Sequence, residues 1–174
     1  VKSSYSDYHC QSLVIATGGL SIPTMGASPF GYKVAEQFGI KVWPVYAALV
    51  PFTLNEKDKQ RFAPLSGIAV DAIVSCNEQT FRENILFTHR GLSGPAILQI
   101  SSYWQAGDQI HINLLPDMDL EEALKQAQIQ HPNSKLCNFL AQYLPKRLIT
   151  SLLDTSLANT LLQGISHQQF QHIA

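Results

Sequence analysis

Two glycine-bearing segments hold the residues whose types and spacing could do chemistry. The first is Leu13-Val14-Ile15-Ala16-Thr17-Gly18-Gly19-Leu20-Ser21-Ile22-Pro23-Thr24-Met25-Gly26, an apolar run that breaks into a Gly doublet and then a Ser/Pro/Gly loop. A short apolar run bounded by glycines reads as a strand buried on both faces, as in parallel α/β sheets. Ligands of such sheets sit beyond the carboxyl ends of the strands, where glycine lets backbone come close to a cofactor. A βα connection that only needs positive φ would look the same. The second segment is Thr88-His89-Arg90-Gly91-Leu92-Ser93-Gly94-Pro95. As a ligand loop it would aim helix-start N–H groups at an anion or an electron-rich carbonyl. As a structural turn it would simply begin a helix, with Ser93 as its cap and Pro95 in its first turn. His89 stands apart from the other histidines because it lies in this loop beside Arg90.

Two look-alikes fail on the residues that matter. Gly26 to Lys33 resembles a P-loop, but Tyr32 stands at the Lys position and Lys33 at the Ser/Thr position. The phosphate-reaching ammonium and the Mg²⁺-holding hydroxyl are both missing. Gly91 to Pro95 resembles a nucleophile elbow whose last Gly is Pro95, with no Ser-Asp-His order behind it. His9, His111, His131, His167 and His172 are scattered, and the last two are five apart, off one helical face, so no metal site is expected. Cys10, Cys76 and Cys137 are odd in number and form no C-x-x-C pair. That supports neither a disulfide framework nor a thiolate metal site, and makes a reducing, cytoplasmic setting the default.

The elements that must position these residues follow from periodicity and caps. Leu13–Thr17 is the expected buried strand. A helix follows over 29–38, with Ser28 as N-cap, Pro29 at the first position and Gly39 at C′. Residues 42–52, with Pro44 and Pro51, read as an irregular strand pair or an edge strand. Asn55–Phe62 reads as a short helix. Ile68, Val70, Ala72 and Val74 alternate as a half-buried strand, Asn77-Glu78-Gln79 turns, and Thr80–Thr88 returns. Ile110, Ile112 and Leu114 alternate again. Past Pro116 the pattern is helical: 120–130 opened by Asp119 and Glu122, then 136–143, 145–153 and 157–163, and a last helix opened by Ser166 and Gln169.

Composition bounds the class. The chain has 174 residues, 45% hydrophobic and 14% charged, with a net charge of −1. This is globular composition with few charges, and apolar helices such as 136–153 are expected to seek a partner surface. Near-neutrality supplies no electrostatic footprint for nucleic acid. No apolar stretch approaches the length of a membrane span, and the N-terminus has no signal-peptide core.

In their order, Ile15-Ala16-Thr17-Gly18-Gly19-Leu20-Ser21-Ile22-Pro23, Gly26, Gly31-Tyr32, Ala48-Leu49-Val50-Pro51 and Leu86-Phe87-Thr88-His89-x-Gly91-x-Ser93-Gly94-Pro95 resemble the YhiN/BaiN-type flavoproteins. These are NAD(P)/FAD-dependent oxidoreductases, a group that includes aminoacetone oxidase, and the resemblance covers most of 10–104. It implies an α+β chain that is an internal fragment. Residues 1–42 would end the first segment of a split, Rossmann-like FAD-binding domain. Residues 43–115 would be a small antiparallel β-barrel, and 116–174 a helical subdomain, the two together forming an insert domain. Ala16, Thr17, Gly18, Gly19, Ser21 and Pro23 would line the FAD-binding sheet end. Gly91, Ser93 and Gly94 would bring backbone to the flavin ring, and the helix start there would stabilise negative charge on the reduced ring. His89 would be the catalytic, proton-handling residue, since histidine changes charge near neutral pH. No G-x-G-x-x-G is present in the chain, so on its own it is expected to bind FAD poorly and to be inactive. The expected partners are the rest of the parent flavoprotein, a small-molecule substrate, NAD(P)H as electron donor and a second copy of the chain, with no membrane. Some members are associated with reduction of a uridine in ribosomal RNA, so nucleic acid stays open. The reading from another class is a non-catalytic binding or oligomerisation module.

Overall fold

Alternating apolar residues between Ile68 and Phe87 build the scaffold of this molecule. The structure, a computed structural model, describes residues 1–174, which divide into two units, Val1–Ala47 and Ala48–Ala174.

In the first unit the regular elements are a 3₁₀ turn at Pro23–Met25 and α1 (Phe30–Gln37). Pro29, not Ser28, occupies the N-cap, and Ser28 makes no capping bond. The C-terminus closes as expected. Gly39 takes φ +72°, its N–H donates to Glu36 O at 2.9 Å, and Ile40 N–H donates to Ala35 O at 3.0 Å. Those two bonds satisfy orphan carbonyls of the last turn, and only glycine adopts that φ without strain.

The second unit is an α+β fold around one sheet. Its elements are β1 (Phe52–Thr53), α2 (Glu56–Phe62), a 3₁₀ turn at Ala63–Leu65, β2 (Ala69–Cys76), β3 (Gln79–Phe87), β4 (Gly91–Ser93), α3 (Pro95–Ile100) and β5 (His111–Asn113). Five helices follow: α4 (Leu120–Gln130), α5 (Leu136–Leu140), α6 (Lys146–Leu152), α7 (Thr155–Ala158) and α8 (His167–Ile173). The strands pair antiparallel in the order β1-β4-β3-β2-β5 as a curled half-barrel, open at β1 and β5. Of the expected strand material over 42–52, only the start of edge strand β1 forms. Prolines at 44 and 51 remove two ladder donors there.

The long β2–β3 hairpin turns on Asn77-Glu78, with Asn77 at φ +53°, a conformation asparagine tolerates. Ala72, Val74 and Cys76 on β2 and Ile85 and Phe87 on β3 are buried, and α3 packs across both strands with Ala96, Ile97 and Ile100. The same apolar cluster continues through Leu124, Leu136, Leu140, Leu148, Ile149 and Phe170, so the apolar helices find their partner surface within the unit.

Caps written in the sequence set the helix starts. Asn55 accepts from Asp58 N–H, Asp119 from Glu122 N–H, and Ser166 with Gln169 forms a reciprocal capping box. The helix expected over 157–163 is instead α7 and a 3₁₀ turn at Leu162–Gly164. Asn159 and Thr160 side chains bond back to Thr155 O and Ser156 O, and Leu161 extends to bridge Lys135. Such local side-chain bonds offer the backbone an alternative to the helical ladder. No helix is long and apolar enough to cross a membrane.

Candidate functional site

The segment Thr88–Pro95 is a tight turn followed by a strand. Thr88 organises it: its N–H and Oγ1 both donate to Gly91 O, at 2.8 and 3.0 Å, and Oγ1 accepts from the N–H groups of Arg90 and Gly91. This leaves His89 and Arg90 at an exposed tip with no hydrogen bond to either side chain. Leu54 N–H donates to Arg90 O at 3.0 Å, tying the tip to the strand–helix joint before α2.

The two glycines of this segment have a reason inside the fold. A Cβ on Gly91 would lie 2.2 Å from Phe52 O, and one on Gly94 would lie 2.6 Å from Asn84 O and 2.9 Å from Leu86 N. Both therefore allow close approach of strand backbone, whatever else approaches them. Ser93 does not cap α3 as expected. It is the last residue of β4, opposite Leu86, and Gly94 at φ +96° takes the N-cap with no side-chain bond. The helix it opens has six residues, too short to serve as an anion site on its dipole.

In the first unit the expected buried strand is a correction. Leu13–Thr17 forms no strand, is unpaired and is exposed, Val14 to 83%. No backbone N–H from His9 to Ser21 finds a backbone acceptor. The apolar run has strand character, yet a single strand without a paired neighbour forms no ladder. Ala16, Thr17 and Ser21 are exposed, and Pro23 opens the 3₁₀ turn. Gly19 is explained by Tyr32, whose hydroxyl would sit 2.9 Å from a Cβ there. Gly18, at φ +72°, has nothing within 4 Å of that position. Its open backbone is the feature of this unit that the fold itself does not use.

The structure thus places His89, Gly91, Ser93 and Gly94 on one segment of the second unit, and Ala16, Thr17, Gly18, Gly19, Ser21 and Pro23 on one segment of the first. Elsewhere in the second unit, Arg82 bonds Asp71 at 2.8 Å and both oxygens of Asp117 at 2.6 Å. Those bonds raise the Arg82 pKa and hold the Asp117 carboxyl below its ordinary range. A cavity of about 570 Å³ lies between β5 and the α5–α6 pair; Ile112, Leu114, Met118, Leu140 and Leu153 line it, and His89 is not among its walls.

Comparison with known proteins adds the following. Residues 46–174 match the family model described as "HI0933-like protein barrel and H2TH domain". The chain is 59% identical over 144 residues to a protein of Escherichia coli named ribosomal RNA dihydrouridine synthase. It is 49% identical over 154 residues to a protein of the same name from Haemophilus influenzae. The alignments cover 82% and 87% of this chain and 36% and 38% of those proteins, so the chain spans somewhat more than a third of their length.

Proposed function

This chain belongs to the HI0933-like barrel and H2TH domain family, and from that premise we propose that it is part of a flavin-dependent enzyme that reduces a uridine of ribosomal RNA to dihydrouridine. The observation that carries the reading is the 59% identity, over 82% of the chain, with a protein named for that reaction. The resemblance of the Ala-Thr-Gly-Gly and Thr-His-x-Gly-x-Ser-Gly-Pro motifs to flavoproteins supports the cofactor class.

The residues present fit a flavin dinucleotide as one wall of its site. Ala16 and Thr17 are exposed, and the Gly18 backbone is open to a close neighbour. These residues, continuing through Gly19, Ser21 and Pro23, would hold the group, which when bound supplies hydride chemistry, with NAD(P)H as electron source. Saturating the uracil C5=C6 bond also requires a proton at the carbon next to the carbonyl. His89, exposed and free of hydrogen bonds, is the residue proposed to handle it, and Thr88 fixes the turn that presents it. The barrel and helices would shape the substrate side. In this role Gly91 and Gly94 act through the strand packing that positions the turn.

The test uses the full-length protein that carries this chain, given unmodified ribosomal RNA and reduced nicotinamide. The expected result is a yellow protein and one uridine that gains the mass of two hydrogens. A colourless protein that leaves every uridine unchanged refutes the proposal. For His89→Ala, turnover and pH profile identical to wild type would remove that residue from the mechanism while leaving the reaction in place.

A further inference from the structure

Unit Ala48–Ala174 contains nine Lys and Arg residues, and their partners sort them into two groups. Arg82 is paired with Asp71 and Asp117, Lys125 with Glu121, and Lys59 with Glu56; Lys135, at the start of α5, meets no carboxylate and donates to the neutral Asn159 amide. The other five, Lys57, Arg61, Arg90, Lys146 and Arg147, meet no carboxylate within ion-pair distance, and all five are exposed.

Hydrogen bonds and helix spacing connect four of these five in order, and Lys146 adjoins Arg147 in sequence. Arg147, at the start of α6, donates to Pro64 O just past α2. Arg61, at the end of α2, donates to Ser151 O at 2.6 Å and Leu152 O at 2.9 Å at the end of α6. These side-chain bonds tie the C-terminal end of α2 and the turn after it to α6. Lys57 lies four residues before Arg61, on the same face of α2 and about 6 Å along its axis. Beyond the α2 start, the Leu54–Arg90 bond brings in the His89–Arg90 tip. The order along the surface is Lys146 and Arg147, Arg61, Lys57, then Arg90 and His89. The carbonyl bonds of Arg61 and Arg147 fix their heads without neutralising them, because a carbonyl carries no net charge. Among carboxylates on or beside the same elements, Glu56 is paired with Lys59 and Asp154 precedes α7, while Asp58 accepts from the neutral Asn55 amide and keeps its charge, one carboxylate against the five cations.

We propose that this cationic line is a docking track for the phosphate backbone of an RNA strand, leading from α6 across α2 to the His89–Arg90 turn. It deepens the proposed function and rests on that reading for the choice of RNA among polyanions. A row of unpaired cations on a unit with more acidic than basic residues is what phosphate contacts need: local positive potential, with counterions released on binding.

The experiment measures binding of the full-length protein to a labelled ribosomal RNA fragment by fluorescence anisotropy across a salt series. One double variant is Lys57→Glu with Lys146→Glu. The control, with the same change in net charge off the track, is Lys125→Glu with Lys135→Glu. Circular dichroism checks that both remain folded. The track double should weaken binding about tenfold or more and reduce the slope of log K against log salt by about 1.5. The control should change affinity less than about threefold. If the two doubles weaken binding equally, net charge alone is at work and the track is overturned while the RNA reading stands. The same holds if the track double modifies RNA with wild-type KM and kcat. A wild-type protein that binds no RNA and forms no dihydrouridine overturns both.

Discussion

Replacing Gly94 with alanine separates packing from ligand access as the reason for glycine in the Thr88–Pro95 segment. Two costs apply. The φ of +96° is a strained conformation for an L-residue, worth about 1–3 kcal/mol. The new Cβ would also sit 2.6 Å from Asn84 O, 2.9 Å from Leu86 N and 3.0 Å from the Ile85 carbonyl carbon. These are all main-chain atoms of β3, and β3 is held on its other side by the Asp71↔Asn84 and Ala69↔Leu86 pairing with β2. Backbone clamped in this way cannot yield cheaply, and overpacking of that kind costs about 1–3 kcal/mol more. The expected loss is about 3 kcal/mol or more. Gly107→Ala is the matched control, at φ +105° with nothing within 4 Å, so it carries the strain alone. With an m-value of about 1.5 kcal/mol/M in urea, Gly94→Ala should lower the midpoint by about 2 M, and Gly107→Ala by half that or less. Far-UV circular dichroism reads the transition. In a Trp43→Phe background so does Trp104, which packs edge-on against Phe52 at 5.3 Å and donates to Asp108 O. Equal midpoints for the two variants would refute the close-approach argument and return Gly94 to a ligand role.

The electrostatic and thiol features give two further expectations. Bonding to Arg82 holds the Asp117 carboxyl below its ordinary value, so near pH 4 the unfolded chain binds more protons at this site than the folded one. The contribution is therefore complete only above about pH 5 and lost as pH falls through the lower folded value. Urea midpoints of wild type and Asp117→Asn should differ slightly at pH 7 and draw together as pH falls below the ordinary carboxylate range, and a gap independent of pH contradicts the assignment. Burial, and secondarily Asp108, raise the Cys76 thiol pKa, and the residue is 1% exposed, whereas Cys10 is open to solvent. Iodoacetamide at pH 8 should label Cys10 quickly and Cys76 only after unfolding; similar native rates for both would refute the buried placement.

What could be read from sequence was whatever a few neighbouring residues decide. Asn55, Asp119 and the Ser166/Gln169 pair act within one helical turn, and each appears where expected. The 68–87 hairpin was legible because its period of two is carried by its own residues. Two of the failures turn on backbone contacts, made or missing, that the local pattern does not carry. Ser93 lost the cap because Gly94 must lie against β3, and no residue near position 94 announces that contact. Leu13–Thr17 has the composition of a buried strand, but composition does not supply a neighbouring strand. The Thr88–Pro95 motif was visible as a loop, while its Thr88-centred hydrogen bonding and the strand-packing role of its glycines were not.

Charge shows the same limit most sharply. A net charge of −1 argues against nucleic acid only if positive and negative residues are mixed evenly over the surface. They are not. Four of the eleven carboxylates between 48 and 174 meet side-chain cations, at Arg82, Lys125 and Lys59, whereas the exposed cations of α2, α6 and the Arg90 turn other than Lys59 meet none. They collect where Arg61 and Arg147 cross between elements whose residues are 83 to 91 positions apart in the chain. An averaged charge cannot register that sorting, because it depends on which side chains meet. On the proposed track, the potential that an RNA strand would feel would be set by the cations along α6, α2 and the Arg90 turn, and a neutral total is compatible with strong, salt-sensitive binding there.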